Sequence, residues 1–148
     1  MKLTKSKLLN FTKILVEVTF LLLILTLFMI PEIACWYDAV SGEAPVKYYL
    51  IAALYACNLI AFFVIMPLFK LITNLKKGEV FVVSNTKQLR MISTGLYIIA
   101  LIFALFAIIR PFSLMFTFLF AFIGVILTVV KNVFEEAVLL QEEQNYTI

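Results

Sequence analysis

The sequence predicts an all-α integral membrane protein, a four-helix bundle, from its composition and from the length and continuity of its apolar runs. Of its 148 residues, 64% are hydrophobic and 14% are charged, whereas soluble domains average about 45–50% apolar and about 25% charged residues. A soluble domain this small buries only about two-thirds of the surface of its unfolded chain, so it cannot hide so much apolar surface. Four apolar runs of about 20 residues, each long enough to cross a bilayer, fill most of the chain. The runs are continuous and do not alternate apolar with polar residues, which favours helices over a β-barrel.

The first apolar run, residues 11–30, follows a basic leader and is expected to end before Pro31. A cleavable signal peptide is the competing interpretation, since the leader resembles the charged start of such peptides. The run is longer than their usual apolar segment of about 7–15 residues, and the residues after it form a poor cleavage site. We therefore predict a retained membrane helix.

The other three runs cover residues 48–69, 91–109 and 112–130. Aromatic residues flank the polar connection of residues 32–47, as expected for a segment at a membrane–water interface. The last two runs are separated by only two residues and predict a helical hairpin.

The positions of lysine and arginine predict the orientation of the helices. Ten of the twelve basic residues lie in the leader and the base of the first helix, in the connection of residues 70–90, or just after the fourth run. Lys47 and Arg110 lie on the other side, with three acids. Because cytoplasmic segments carry the excess of basic residues, we predict that both termini and residues 70–90 are cytoplasmic.

The fourth helix is expected to continue beyond the membrane as an amphipathic tail, residues 131–148. Val133, Phe134, Ala137 and Leu140 extend an apolar stripe along it. The opposite face is acidic and carries Glu135, Glu136, Glu142 and Glu143. Three interpretations are open: a solvated helix end, a contact with the basic connection, or a contact with another protein.

The connection of residues 70–90 has its own local signals. Gly78 after two lysines predicts a turn or helix end with positive φ. Phe81 can then return an aromatic ring to the membrane face, and Ser84 or Asn85 is expected to cap the third helix.

Two polar residues inside the spans, Glu17 and Asn58, are candidates for an intramembrane site, because polar groups there are usually paired or functional. Glu17 can pair with Lys13, four residues earlier on the same face. A proton or cation site would instead need the carboxylate to face the bundle interior. Asn58 either bonds a neighbouring helix or contacts a ligand.

Three further residues are expected to shape contacts between the helices. Arg110, at the outer turn, either anchors to a headgroup phosphate or pairs with an acid of residues 32–47. Gly95 and Gly124 allow close helix approach, although no GxxxG pair is present.

The sequence lacks the residues on which most enzymes and metal sites depend. It contains no histidine, the commonest metal ligand and general base. It also has no Gly-rich phosphate loop, paired acidic ligand set or nucleophile–base arrangement. We therefore expect no catalytic activity, no cofactor, no metal site and no direct binding of nucleic acid.

Two motifs resemble those of a known family. Residues 74–81 read Asn-Leu-Lys-Lys-Gly-Glu-Val-Phe and are followed by Asn85, Leu89 and Arg90, and residues 142–148 read Glu-Glu-Gln-Asn-Tyr-Thr-Ile. Both segments resemble the small bacterial four-helix membrane proteins called domain of unknown function 2975. The chain departs from that pattern at residues 82–84, where a more polar, acidic turn is usual, and at Tyr146, where an acid is commoner.

The resemblance implies a multi-pass protein of the bacterial plasma membrane without established catalytic activity. Genes of this family often neighbour one for a small cytosolic helix-turn-helix regulator, which implies a membrane component that works with that regulator. The candidate docking residues are Lys76, Lys77, Gly78, Phe81, Asn85, Arg90, Phe134, Glu135, Glu142 and Glu143.

Two other functions are left open. A homo-oligomer could form a transporter for a small molecule or ion, with a path past Glu17 and Asn58. An immunity or envelope-stress protein would instead use the outer connection of residues 32–47.

Overall fold

The computed structural model describes residues 2–146 and confirms an all-α chain of four long helices. Each helix is long and apolar enough to cross a membrane. Thr147 and Ile148, the end of the C-terminal motif, lie outside the described residues. The helices are α1 (Lys2–Ser41), α2 (Lys47–Lys76), α3 (Val83–Phe106) and α4 (Leu114–Tyr146), with a short 3-10 helix at Pro111–Ser113 before α4.

Helix α1 continues through Pro31, where the sequence predicted its end. A proline removes only its own backbone donor and disturbs the carbonyl four residues earlier, a loss that membrane helices tolerate. The helix therefore ends at Ser41, before Gly42 with a φ of +67°. Most of the predicted connection of residues 32–47 is thus the end of α1.

The second predicted connection, residues 70–90, is also mostly helical. Helix α2 extends to Lys76 and α3 begins at Val83, so only residues 77–82 form the turn. Gly78 in this turn has a φ of +82°, which confirms the prediction made for it.

The helices pack in chain order, α1 on α2, α2 on α3 and α3 on α4. Within residues 2–146, no Cα atom of α1 lies within 8 Å of one in α3 or α4. A closed four-helix bundle would also pack its first helix against its last, so the structure differs from the predicted bundle. It is an open row with α1 and α4 at its edges. Helices in lipid gain no hydrophobic energy by closing such a gap, because lipid tails cover apolar side chains equally well.

Two glycines bring neighbouring helices into close contact, as predicted. A Cβ on Gly95 of α3 would overlap Val64 Cγ2 of α2. A Cβ on Gly124 of α4 would lie 2.8 Å from Tyr97 Cε1 of α3. The Tyr97 hydroxyl lies 2.9 Å from Thr128 Oγ1, which continues the α3–α4 contact one turn along α4.

The row of helices has two different ends. The end called the basic end below contains the start of α1, the α2–α3 turn and the last turns of α4. The opposite end contains the α1–α2 turn, residues 42–46, and the α3–α4 turn, residues 107–113. The candidate docking residues all lie toward the basic end.

Candidate functional site

Asn85 organises the α2–α3 turn at the basic end and is fully buried. Its amide nitrogen donates to the backbone carbonyls of Glu79 and Val80, at 2.9 and 2.6 Å. Its Oδ1 accepts a 2.9 Å hydrogen bond from the amide of Asn74. The side chain thus uses both of its donors inside the protein. Asn85 cannot offer its amide to a docking partner, and its role is to hold the turn closed.

The expected cap of α3 by Ser84 or Asn85 is wrong. The N-cap residue is Val82, and no side chain of the described chain caps the helix there. Both polar residues already lie inside the first turn, where the backbone N–H of Asn85 donates to the carbonyl of Val82 at 3.0 Å.

An aromatic contact joins the α2–α3 turn to α4. The rings of Phe81 and Phe134 meet edge to face, with centroids 5.2 Å apart. Such pairs contribute about 0.5–1.5 kcal/mol beyond the burial of their area. The contact fixes the position of the turn against the part of α4 that follows the predicted membrane span.

A cluster of charges continues this contact along α3 and α4. Glu135 Oε1 lies 3.2 Å from Nη2 of Arg90 and 3.6 Å from Nζ of Lys131. Of the three interpretations of the tail, the contact with the basic connection is therefore present as far as Glu135. The pairs are partly exposed, so each contributes about 0.2–1 kcal/mol.

The predicted apolar stripe of α4 packs on the rest of the protein only in part. Phe134 and Glu135 contact the turn and α3, whereas Val133 and Leu140 are 58% and 60% exposed. Apolar spacing alone does not distinguish a face that packs on protein from one turned away from it. Within the stripe, Phe134 thus packs on the α2–α3 turn, whereas Val133 and Leu140 stay exposed.

Beyond the ion pairs, α3 and α4 border an open groove of about 550 Å³, called the α3–α4 groove below. It combines apolar side chains with charges of both signs. Three of the predicted docking residues line the groove: Arg90, Glu135 and Glu142. Glu143 follows on α4 as an exposed residue. The lining residues are Val83, Thr86, Lys87 and Arg90 of α3, and Glu135, Val138, Leu139 and Glu142 of α4.

Three other docking candidates face a second surface. Lys76, Lys77 and Gly78 line a cleft of about 590 Å³ between the end of α2 and the start of α1, where Lys5 and Asn10 also lie. Lys76, Lys77 and Gly78 thus lie apart from the candidates that line the α3–α4 groove, whereas Phe81, Asn85 and Phe134 line neither surface.

The two motif segments, residues 74–81 and 142–148, both lie within a match to one protein family. A family model described as protein of unknown function (DUF2975) matches residues 37–148. The chain belongs to this family. No curated protein and no solved structure matches the chain. The match confirms the resemblance to this family. It covers the end of α1 and the whole of α2 and α3, and it continues through α4.

In this DUF2975 protein the two intramembrane candidates occupy different environments. The Glu17 side chain is 51% exposed, with Oε1 4.0 Å from Lys13 Nζ, which confirms the predicted pair. Asn58 is buried and donates to the carbonyl of Leu23 on α1 at 3.3 Å. Its Oδ1 has no hydrogen bond from the part of the chain that the structure describes. Asn58 thus joins α2 to α1, as the helix-contact interpretation requires.

Asp38 shapes the opposite end, a role that its sequence neighbourhood does not predict. Its two carboxylate oxygens accept hydrogen bonds from the backbone N–H groups of Val46 and Lys47, at 3.0 and 2.9 Å. These groups lie at the start of α2, where free donors and the helix dipole favour an anion. Local capping rules miss this cap because Asp38 is eight residues away in sequence.

Arg110 joins the two turns of the opposite end. Its Nη1 lies 2.8 Å from Glu43 Oε2, and its Nη2 donates to the carbonyl of Ala44. Of the two interpretations of Arg110, the structure contains the pair with an acid of residues 32–47. The side chain is only 11% exposed, and its Nε has no hydrogen bond among the described residues.

The geometry at the basic end suits binding. Over the described range, no three His, Cys, Asp or Glu side chains lie close enough together to hold a metal ion. The Phe81–Phe134 contact and the Arg90–Glu135 pair hold a groove of mixed polarity in place. Such a groove can accept a complementary helix.

Proposed function

We propose that this DUF2975 protein is a non-enzymatic protein of the bacterial plasma membrane that binds a cytosolic helix-turn-helix regulator in the α3–α4 groove. The observation that carries the proposal is the groove itself, which is open, partly apolar and lined by charges of both signs. The family resemblance supports the choice of partner, and the excess of basic residues at this end supports a cytoplasmic location.

The groove is supported before any partner arrives. The edge-to-face contact of Phe81 with Phe134 fixes the turn on α4, and Glu135 links α4 to Arg90 of α3. A surface that is already ordered loses less conformational entropy on binding, which favours affinity.

The apolar side chains of the groove lie beyond the predicted membrane spans. Val83 is 64% exposed and Leu139 is 57% exposed. Exposed apolar patches with a polar rim mark interaction sites on soluble surfaces. An amphipathic helix can bury such side chains along one face, as in other helix-in-groove complexes.

The charges define what that helix should carry. Arg90 is already paired with Glu135, so Lys87 on the α3 side is the cation that favours an acid. Glu142 on the α4 side favours a base. Complementary charges give specificity and faster association more than raw affinity. A partner helix with acids on one edge and bases on the other matches the α3–α4 groove.

Two adjacent leucines provide a matched test. Leu139 lines the α3–α4 groove, whereas Leu140 is equally exposed on another face of α4. The protein in lipid nanodiscs would be titrated with a purified helix-turn-helix regulator from the same bacterium, chosen as the product of a gene beside this one. We expect Leu139→Asp to weaken binding at least about tenfold, equal to about 1.4 kcal/mol, and Leu140→Asp to leave it unchanged.

Absence of binding to the unmodified protein would overturn the choice of regulator. Equal losses in the two variants would overturn the choice of groove. A reporter gene controlled by the regulator gives the cellular readout, in which Leu139→Asp should match deletion of the membrane protein.

A further inference from the structure

The gap between the edge helices α1 and α4 forms a cavity of about 330 Å³ at the opposite end. Helices α1 and α4 do not pack on each other, and all four helices contribute side chains to the lining. Helix α1 contributes Trp36, α2 Ala53, α3 Phe103 and α4 Phe116, and Arg110 lies at the turn before α4. The cavity is within the size range of small-ligand sites, about 300–1,000 Å³.

The lining of this cavity is almost entirely apolar, with few polar groups. The hydroxyl of Ser113 is already used, since it donates to the carbonyl of Phe103 at 2.7 Å. Arg110 keeps one buried donor, Nε, without a partner among the described residues. A buried donor without an acceptor is unfavourable, so an acceptor oxygen brought by a ligand would be stabilised there.

The charge of the site selects a neutral acceptor over an anion. Glu43 lies 2.8 Å from Arg110 Nη1 and already balances the guanidinium charge. A carboxylate or phosphate at Nε would add a second negative charge beside Glu43, whereas a carbonyl or ester oxygen would not. We propose that this cavity binds the acyl chain of a neutral ester, with its carbonyl oxygen accepting from Arg110 Nε.

The depth of the cavity fits this ligand. Trp36 and the tyrosines near it belong to the aromatic residues that mark the membrane interface. The ester groups of membrane lipids lie at the same level, with their chains directed toward the bilayer centre. The ligand chemistry is shared by a free acyl ester and by a lipid with an uncharged headgroup. This inference does not depend on the regulator proposed above.

Trp36 gives a direct readout, because it is the single tryptophan of the chain and it lines the cavity. The detergent-solubilised full chain would be titrated with a brominated medium-chain fatty-acid methyl ester, whose bromine atoms quench tryptophan emission. We expect saturable quenching of Trp36. Competition by unlabelled methyl ester and by a neutral diacyl lipid distinguishes a free ester from a membrane lipid as the preferred ligand.

Two neighbouring alanines of α2 provide a matched pair of variants. Ala53 lines the cavity, whereas Ala52 is exposed on the outer side of the helix. Ala53→Phe should abolish the saturable quenching and Ala52→Phe should retain it. If Ala53→Phe does not fold, judged by its circular dichroism and elution volume, the smaller Ala53→Leu replaces it.

The role of Arg110 is tested with a change in the probe. We expect the brominated ester to bind about tenfold more tightly than a brominated alkane of equal length, since only the ester offers an acceptor. Arg110→Lys, which keeps a cation for Glu43 but removes Nε, should bring this ratio close to one.

Several results would overturn the proposal. Quenching that does not saturate, or that is equal in the Ala53 and Ala52 variants, would mean that the probe only partitions into the micelle. A fatty acid that binds more tightly than its methyl ester would show that the site prefers an anion. An ester-to-alkane ratio that Arg110→Lys leaves unchanged would remove Arg110 from the site.

Discussion

Asn85 is the residue on which the α2–α3 turn depends most. It is fully buried and makes three side-chain hydrogen bonds, two of them to carbonyls of the turn. An apolar replacement removes the donor from these two carbonyls and leaves the Asn74 amide with only its 3.4 Å hydrogen bond to Ser84 Oγ. Its importance is therefore structural, even though it belongs to a motif that suggested docking.

We expect Asn85→Leu to lower the free energy of unfolding by about 1–3 kcal/mol, because buried polar groups lose their partners. Unfolding in mixed micelles with increasing SDS, followed by circular dichroism, measures the change. The matched control is Asn132→Leu at an exposed position on α4, which should change stability little. Equal effects of the two substitutions would contradict this role of Asn85.

At the scale of the helices, α2 and α3 pack closely where Gly95 of α3 faces Val64 of α2. A side chain at Gly95 would occupy the space of Val64 Cγ2, so the two helices could not approach as closely. Small residues at such crossings are the usual way in which membrane helices obtain close packing.

We expect Gly95→Ala to destabilise the protein by about 1–3 kcal/mol, as overpacked contacts do. Val64→Ala should restore most of that loss in the double variant, because it removes the overlapping methyl group. The four proteins form a double-mutant cycle whose coupling is read from SDS unfolding. Additive effects would show that the overlap is relieved in another way.

The contact of the turn with α4 can be measured in the same manner. Phe81 and Phe134 meet edge to face, and we expect a coupling of about 0.5–1.5 kcal/mol between Phe81→Ala and Phe134→Ala. Phe118 is 71% exposed on α4 and serves as the control, since its alanine variant should be additive with Phe81→Ala. A coupling near zero for Phe81 with Phe134 would contradict the contact.

The sequence predicted these elements unevenly, for physical reasons. Apolar length predicts all four helices, but Pro31 predicts an end that the structure lacks, because proline breaks helices in water more readily than in membranes. The cap by Asp38 depends on a turn that brings together residues distant in sequence, which no local rule detects. Apolar spacing groups Val133, Phe134 and Leu140 on one stripe, but which of them meets the α2–α3 turn depends on where that turn lies in space.

At the scale of the whole molecule, the sequence predicts the orientation of the helices but not their arrangement in an open row. The gap between α1 and α4 depends on which helix faces pack, and composition does not contain that information. The orientation, by contrast, is predicted by the basic residues alone and can be tested directly.

We expect the α1–α2 turn to lie outside the cytoplasm and the α2–α3 turn to lie inside it. In a background with Cys35→Ser and Cys57→Ser, single cysteines would be introduced as Pro45→Cys and Lys77→Cys, both at exposed turn positions. A membrane-impermeant maleimide added to intact cells should label the first variant and reach the second only after permeabilisation. The reverse pattern would invert the predicted topology.

Helix α4 is continuous from Leu114 to Tyr146, so it connects the two ends of the molecule mechanically. Phe116 lines the cavity at one end and Glu142 lines the α3–α4 groove at the other, about 40 Å apart at 1.5 Å per residue. Between them, Gly124 lies against the ring of Tyr97 on α3. Any turn of α4 about its axis is shared by both ends, so a twist of the rod at the cavity also reorients the wall of the groove.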